Sequence, residues 1–139
     1  GLFAFNTSFY SGSHPPSTEE FYRKWMFKAL RILKTQYNLR PIKTEKVQSR
    51  VTLSEDQYAS LIQKNGLKVI KQKVNLVNVP LQGWLDISTF EDFIQGVMPG
   101  VSLDKASASL TQGVKEAFNE LNLSFVPRNW LEVVAIKEK

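Results

Sequence analysis

Asn6, Tyr10, His14 and Arg128 are the side chains of this sequence whose types and places best suit chemistry. Asn6 and Tyr10 follow an apolar run, Leu2-Phe3-Ala4-Phe5, that reads as a strand. Ligands of open α/β sheets bind just beyond the carboxyl ends of the strands, which makes both residues candidate substrate contacts. The alternative is a polar loop start, with Phe9 and Tyr10 packed under the helix that follows. Arg128, in Pro127-Arg128-Asn129-Trp130, has the planar fork that grips a carboxylate at two points, and is equally suited to tying down the last turn. His14 is the only histidine. Its ordinary pKa of about 6.5 suits a general base, but its place between Ser13 and Pro15 favours a merely exposed side chain. Asp86 and Asp92 suggest a carboxylate pair, yet nothing fixes their separation. Asp92 also falls in a helix first turn, where acids complement the dipole. With no cysteine, disulfides, thiolate metal sites and cysteine nucleophiles are excluded. A single histidine argues against a histidine-rich metal site or a Ser-His-Asp triad, so no metal site is expected.

These groups need a scaffold, and the composition supplies one. The 139 residues are 42% hydrophobic, with nine Phe, four Tyr and three Trp, enough for a core. No window approaches the roughly 18 apolar residues of a membrane span, and no secretory signal is visible, so a cytoplasmic location is the default. Charge is uneven. Between Arg23 and Arg50 nine Lys and Arg face one acid, Glu45, whereas from Val51 onward nine face ten. The basic third, with Arg23, Lys24, Lys28, Arg31 and Lys34 on a helix and Arg40, Lys43, Lys46 and Arg50 beyond it, invites a nucleic-acid or acidic-partner reading. A solvated helix face is favoured, because the helix aromatics fall on the apolar stripe, whereas a stacking surface interleaves them with the charges. Docking on an anionic membrane would take Trp25 out of the core.

Along the chain, Ser11–Ser17 is a loop by composition. Ser17 with Glu20 forms a capping box that opens an amphipathic helix ending near Asn38. Its expected inner face is Phe21, Tyr22, Trp25, Met26, Ala29, Leu30, Leu33 and Tyr37. Ser54 with Gln57 caps a shorter helix stopped by Asn65-Gly66, and Leu67–Val79 follows as a partly exposed strand that Pro80 ends. Ser88 with Glu91 gives a third capping box and a short helix to about Val97. A helix of some twenty residues carries the stripe Leu103, Ala106, Leu110, Val114, Ala117, Phe118 and Leu121, with Gly113 as a local weakness. Trp130–Ile136 reads as a final strand. The expected order is strand, helix, helix, strand, helix, helix, strand.

Three segments, taken in order, resemble the second half of class I S-adenosylmethionine-dependent methyltransferases. Gly1-Leu2-Phe3-Ala4-Phe5-Asn6-Thr7 resembles the family's fifth strand. Leu53-Ser54-Glu55-Asp56-Gln57-Tyr58 through Leu61, then Asn65-Gly66-Leu67-Lys68-Val69-Ile70, resembles its next helix and sixth strand. Trp130–Lys137 resembles the antiparallel seventh strand. The resemblance implies an α/β fold built on part of a Rossmann-like sheet, its last three strands with the final one antiparallel. Residues 1–139 would form one partial domain, with helical insertions at 10–50 and 81–122 making a lid over a small-molecule acceptor. Asn6, Tyr10 and Arg128 would be the acceptor-side contacts.

The family's donor site is a glycine-rich turn after the first strand. Here the seven glycines include no two within three residues of each other. S-adenosylmethionine would therefore be a cofactor of the complete protein only. The missing N-terminal half, or a separate partner chain, would bind it, and this chain would be inactive by itself. Methyl transfer to an O, N or C atom proceeds largely by proximity and orientation, so no catalytic side chain needs to stand out. The abrupt apolar start implies an interior strand whose upstream companions are absent, hence an unpaired edge and self-association as a homodimer. The other reading is a non-enzymatic α+β binding module that sets its basic helix on an acidic partner.

Overall fold

The computed structural model describes residues 1–44 and 51–137, so Glu45, Lys46 and Arg50 of the basic connector lie outside the described residues. The elements run β1 (Leu2–Thr7), α1 (Pro16–Tyr37), α2 (Glu55–Lys64), β2 (Leu67–Pro80), α3 (Leu81–Ile87), α4 (Glu91–Val97), α5 (Leu103–Glu120) and β3 (Phe125–Lys137). This is an α/β chain whose strands form one antiparallel sheet in the order β1-β3-β2. It divides into two compact units. A sheet unit comprises Gly1–Pro15, Val51–Asn78 and Pro127–Lys139, and a helical unit comprises Pro16–Arg50 and Val79–Val126. The two segments expected as helical insertions supply nearly all of the second unit.

In the sheet unit, β1 pairs with β3 from Leu2↔Ile136 to Thr7↔Leu131. Side chains alternate between the faces of a strand, and one face, Leu131, Val133 and Ala135, packs with Tyr10 and Ile62 against Phe5, Tyr58, Leu67 and Val69. Helix α2 covers this face, and its capping box forms as its residue types dictate. The Gln57 amide donates to Ser54 Oγ at 3.1 Å, and the Ser54 amide to Gln57 Oε1 at 2.8 Å. Gly66, at φ +81°, makes the left-handed stop.

The sheet leaves β1 with the unpaired edge expected of a strand whose upstream companions are absent. β1 is an edge strand, with Leu2 71% and Phe3 45% exposed. Apolar composition made the strand, but only β3 lies beside it. β3 also begins five residues before Trp130. Because β1 reaches only to Leu131, Pro127 lies in a stretch of β3 with no β1 beside it, where a missing N–H forfeits no bond on that side.

The helical unit is built on α1 and α5. Phe21, Trp25, Ala29 and Leu33 of α1 are buried among Ala106, Leu110, Val114, Ala117 and Phe118 of α5, with Trp84 of α3 and Ile94 of α4. Trp25 Nε1 donates to the Leu110 carbonyl at 2.9 Å, and its ring stacks on Phe93 at 5.5 Å. Lys24 and Lys28 of α1 reach Glu120 of α5 at 3.6 and 2.8 Å. The Lys28 hydrogen bond and the two ammonium charges hold Glu120 below the usual carboxylate range.

Several local expectations change. Helix α1 starts at Pro16, so Ser17 lies in the first turn rather than at the cap, and proline fills the first helical position, where its missing N–H costs nothing. Ser88 does not open α4 but stands at the C-cap of α3. Its hydroxyl donates to the Trp84 carbonyl at 2.8 Å, closing the end of α3, and Phe90 precedes α4 without a side-chain cap. Helix α3 adds an element, a seven-residue helix whose N-cap is Pro80 and which no capping side chain announces. Leu30, expected on the inner face, is 42% exposed.

Gly113 is no weakness. A Cβ there would stand 3.1 Å from the Ala29 nitrogen and 3.2 Å from Trp25 Cδ1, so the glycine lets α5 approach α1. Replacing it with a large side chain overpacks this contact, and Gly113→Leu is expected to lower stability by about 1–3 kcal/mol. Urea unfolding measures this, and an unchanged midpoint would refute the close approach.

Candidate functional site

The sequence candidates Asn6, Tyr10, His14 and Arg128 all fall in the sheet unit, three of them around the loop that leaves β1. The loop turns at once, with the Phe9 amide donating to Thr7 Oγ1 at 3.0 Å. Ser8 and Ser13 are buried, and Phe9 is exposed. Arg128 organises this loop. Its Nε donates to the Ser8 carbonyl at 2.7 Å and its Nη2 to the same oxygen. Its Nη1 stands 3.2 Å from His14 Nε2, and the guanidinium lies over the Phe9 ring, 4.7 Å from the centroid. The neighbouring Asn129 continues the clamp. Its amide donates to the Ser13 carbonyl at 2.8 Å and its side chain to the Gly12 carbonyl at 3.0 Å.

This geometry assigns jobs. A guanidinium only donates, so in its contact with His14 the ring nitrogen Nε2 is the acceptor. The lone pair a general base would use is thus engaged with a cation. Arg128 acts on the backbone of its own chain, holding residues 8–14 against the start of β3. Asn6 Oδ1 accepts from Trp130 Nε1 at 3.2 Å, on an exposed part of the sheet. Tyr10 turns inward and is 2% exposed, packed with Ile62, Leu131, Val133 and Ala135. Burial, and then the Glu55 charge, raise its phenol above the ordinary 10.0. Asp86 and Asp92 stand on separate helices, Asp86 Oδ1 accepting from Gln82 at 2.8 Å. Among the described residues no three His, Asp or Glu are grouped to hold a metal ion. No helix among them is long and apolar enough to cross a membrane.

One surface escaped the sequence reading, and on a second, the basic helix face that the sequence did offer, two exposed apolar side chains escaped it. The first is an open apolar depression of about 350 Å³ lined by Phe3, Phe5, Tyr58, Leu61, Ile62, Asn65 and Leu67. Its single polar residue, Asn65, already donates to the Leu61 carbonyl at 2.7 Å. Alternation places Phe3 and Phe5 on one face, a signal present in the sequence. The second surface is on α1. Lys24 and Lys28 pair with Glu120, but Arg23, Arg31 and Lys34 are exposed, with Phe27 at 67% and Leu30 between them. These five recur at helical spacing on one stripe, so an aromatic is interleaved with the charges after all.

The raised phenol sets a pH dependence. On deprotonation the unfolded Tyr10 ionises first, near pH 10, and the folded one later, so over that window the folded state holds the extra proton and stability falls as pH rises. Tyr10→Phe is expected to remove this alkaline loss while leaving stability near neutral pH little changed. Unfolding midpoints between pH 8 and roughly 11.5 measure it, and identical pH profiles for both proteins would refute the assignment.

No protein-family model matches this chain, and no curated protein matches its sequence.

Proposed function

We propose that the chain is the acceptor-side portion of an S-adenosylmethionine-dependent methyltransferase, inactive by itself. The observation that carries this reading is a sheet finished on one side only. Helix α2 covers the face of Leu131, Val133 and Ala135, while on the other face Leu2, Ile70 and Ile136 are exposed. Doubly wound α/β sheets carry helices on both faces. Here the exposed Leu2, Ile70 and Ile136, set among Asn6, Lys68 and Glu132, give a mixed face with apolar area for a further element to cover. The direction of β3, antiparallel beside β1, also agrees with the resemblance to the family's last strand. In this reading Asn6 and Arg128 stand at the acceptor end of the sheet.

The residues present do not fit the methyl donor. No Gly-x-Gly turn exists here, so the glycine-rich turn on which the family's donor site is built is absent from this sequence. The acceptor portion contributes binding, orientation and exclusion of water, which are large terms in a transfer between two bound molecules. Titration calorimetry with S-adenosylmethionine is expected to give no heat for this chain alone and a saturable signal for a complete protein that carries a Gly-rich portion. Absence of binding by the complete protein would overturn the proposal.

The stripe of α1 favours a second reading, a binding module for an acidic partner. Phe27 and Leu30 form an apolar centre, and Arg23, Arg31 and Lys34 a cationic rim, the anatomy of a protein interface. The expected outcome is binding of polyglutamate that weakens with added salt and is lost in an Arg31→Glu, Lys34→Glu variant. Equal binding by the variant would remove this reading.

A further inference from the structure

β1 pairs with β3 along one edge only, and its register defines what the other edge offers. The Lys137 amide donates to the Gly1 carbonyl at 3.3 Å, and these residues stand opposite each other when the register Leu2↔Ile136 is extended by one. In an antiparallel ladder, opposite residues alternate between bonded and non-bonded pairs. Gly1, Phe3, Phe5 and Thr7 therefore direct their backbone groups at β3, and Leu2, Ala4 and Asn6 direct theirs outward. No other described strand lies there, and all three residues are exposed.

Natural sheets guard such edges with charge, proline or a bulge. The other edge of this sheet, β2, carries Lys68, Lys71 and Lys73. β1 carries none of these devices. Residues 1–18 contain no Lys, Arg, Asp or Glu, and the paired run holds no proline and no break in register.

We propose that the β1 edge binds the same edge of a second copy of this chain, as an antiparallel pair about a two-fold axis at Ala4. In this register Ala4 faces its own counterpart and Leu2 faces Asn6, so every outward N–H and C=O of the three residues gains a partner. A pair centred on Phe3 instead would set Asn6 beyond the partner strand, which spans Leu2–Thr7. The Ala4 register also sets Phe3 across from Phe5 as a non-bonded pair, where side chains approach most closely. Phe3 and Phe5 already stand 5.8 Å apart, and Phe5 lies 5.3 Å from Tyr58. Pairing thus joins the aromatic rows of two copies and extends each apolar depression into its neighbour. No like charges meet, whereas a β2–β2 pairing sets lysines against lysines. The contact is isologous and closes on itself. A six-residue strand offers less than the about 800 Å² per partner of a standard interface, so dissociation is expected on the order of micromolar. In the methyltransferase reading the upstream strands of the complete protein would take this same edge. The pairing is therefore proposed for this chain alone, and its test reads dimerisation rather than S-adenosylmethionine binding.

The chain has no cysteine, so single thiols report the register. Ala4→Cys places two Cα atoms about 5.5 Å apart, within disulfide range. It is expected to oxidise to a covalent dimer, whereas Leu2→Cys and Asn6→Cys are not, since each faces the other residue rather than itself. Ala4→Pro removes an amide that β3 does not use and is expected to give a folded monomer by light scattering, where the parent chain is a dimer. A parent chain that stays monomeric at roughly 100 µM, well above that dissociation range, overturns the proposal. So do an Ala4→Pro protein that remains dimeric and equal crosslinking at all three positions. If Ala4→Pro fails to fold, the three cysteine variants decide alone.

Discussion

The sheet unit depends on one pairing, that of residues 2–7 with 131–136. Its three segments lie far apart in sequence, and the ends of the chain meet in a single ladder. Closing so long a loop costs entropy, although the cost grows only logarithmically with length. The compensation is local to the ladder and the face beneath it. Leu131, Val133 and Ala135 are buried, and Tyr10 and Ile62 seal that layer. The Arg128 and Asn129 contacts with Ser8, Gly12 and Ser13 reinforce the same junction, again joining residues more than 110 positions apart. The groups that seemed most available for chemistry are those that hold the two ends together.

The helical unit obeys a different constraint, the close approach of α1 and α5. Gly113 opens the space, Ala29 and Trp25 occupy it, and the Trp25 N–H finds an acceptor in the Leu110 carbonyl. A buried indole needs such a partner, because an unpaired N–H in an apolar core would lose its hydration without return. Around this contact, Phe21, Trp84, Phe93 and Phe118 meet in edge and stacked arrangements at 5.1 to 5.7 Å, which concentrates much of the buried area in a few rings. Since α5 also receives Lys24 and Lys28 at Glu120, the basic charge of α1 divides into a structural pair and an outward stripe.

The side chains best suited to chemistry serve the fold. The junction made by Arg128 accounts for Arg128 and His14 structurally, and burial accounts for Tyr10. What remains is surface: a bare sheet face, an uncharged strand edge, an apolar depression and a cationic stripe. Each is an association surface by its physics. The methyltransferase proposal suits this pattern, since an acceptor-side portion works by holding and covering rather than by supplying a reactive group.

Much of the architecture was legible from the residues. Periodicity gave α1 and α5, the Ser54–Gln57 box and Asn65-Gly66 bounded α2, and the apolar runs gave all three strands, because these signals act within a few positions of chain. Local signals failed where one residue type serves two ends. Ser88 closes the helix before it instead of opening the one after, and Ser17 follows a proline that already starts the helix. What only the tertiary structure decided is which face or edge is covered. Leu2 and Phe3 are as apolar as the Leu131–Ala135 segment, yet one strand is at the edge and the other central. Phe27 and Phe21 share a helix and a residue type, yet one is exposed and the other buried. Burial depends on neighbours distant in sequence, and so does the role of Arg128, whose partner Ser8 lies 120 residues away.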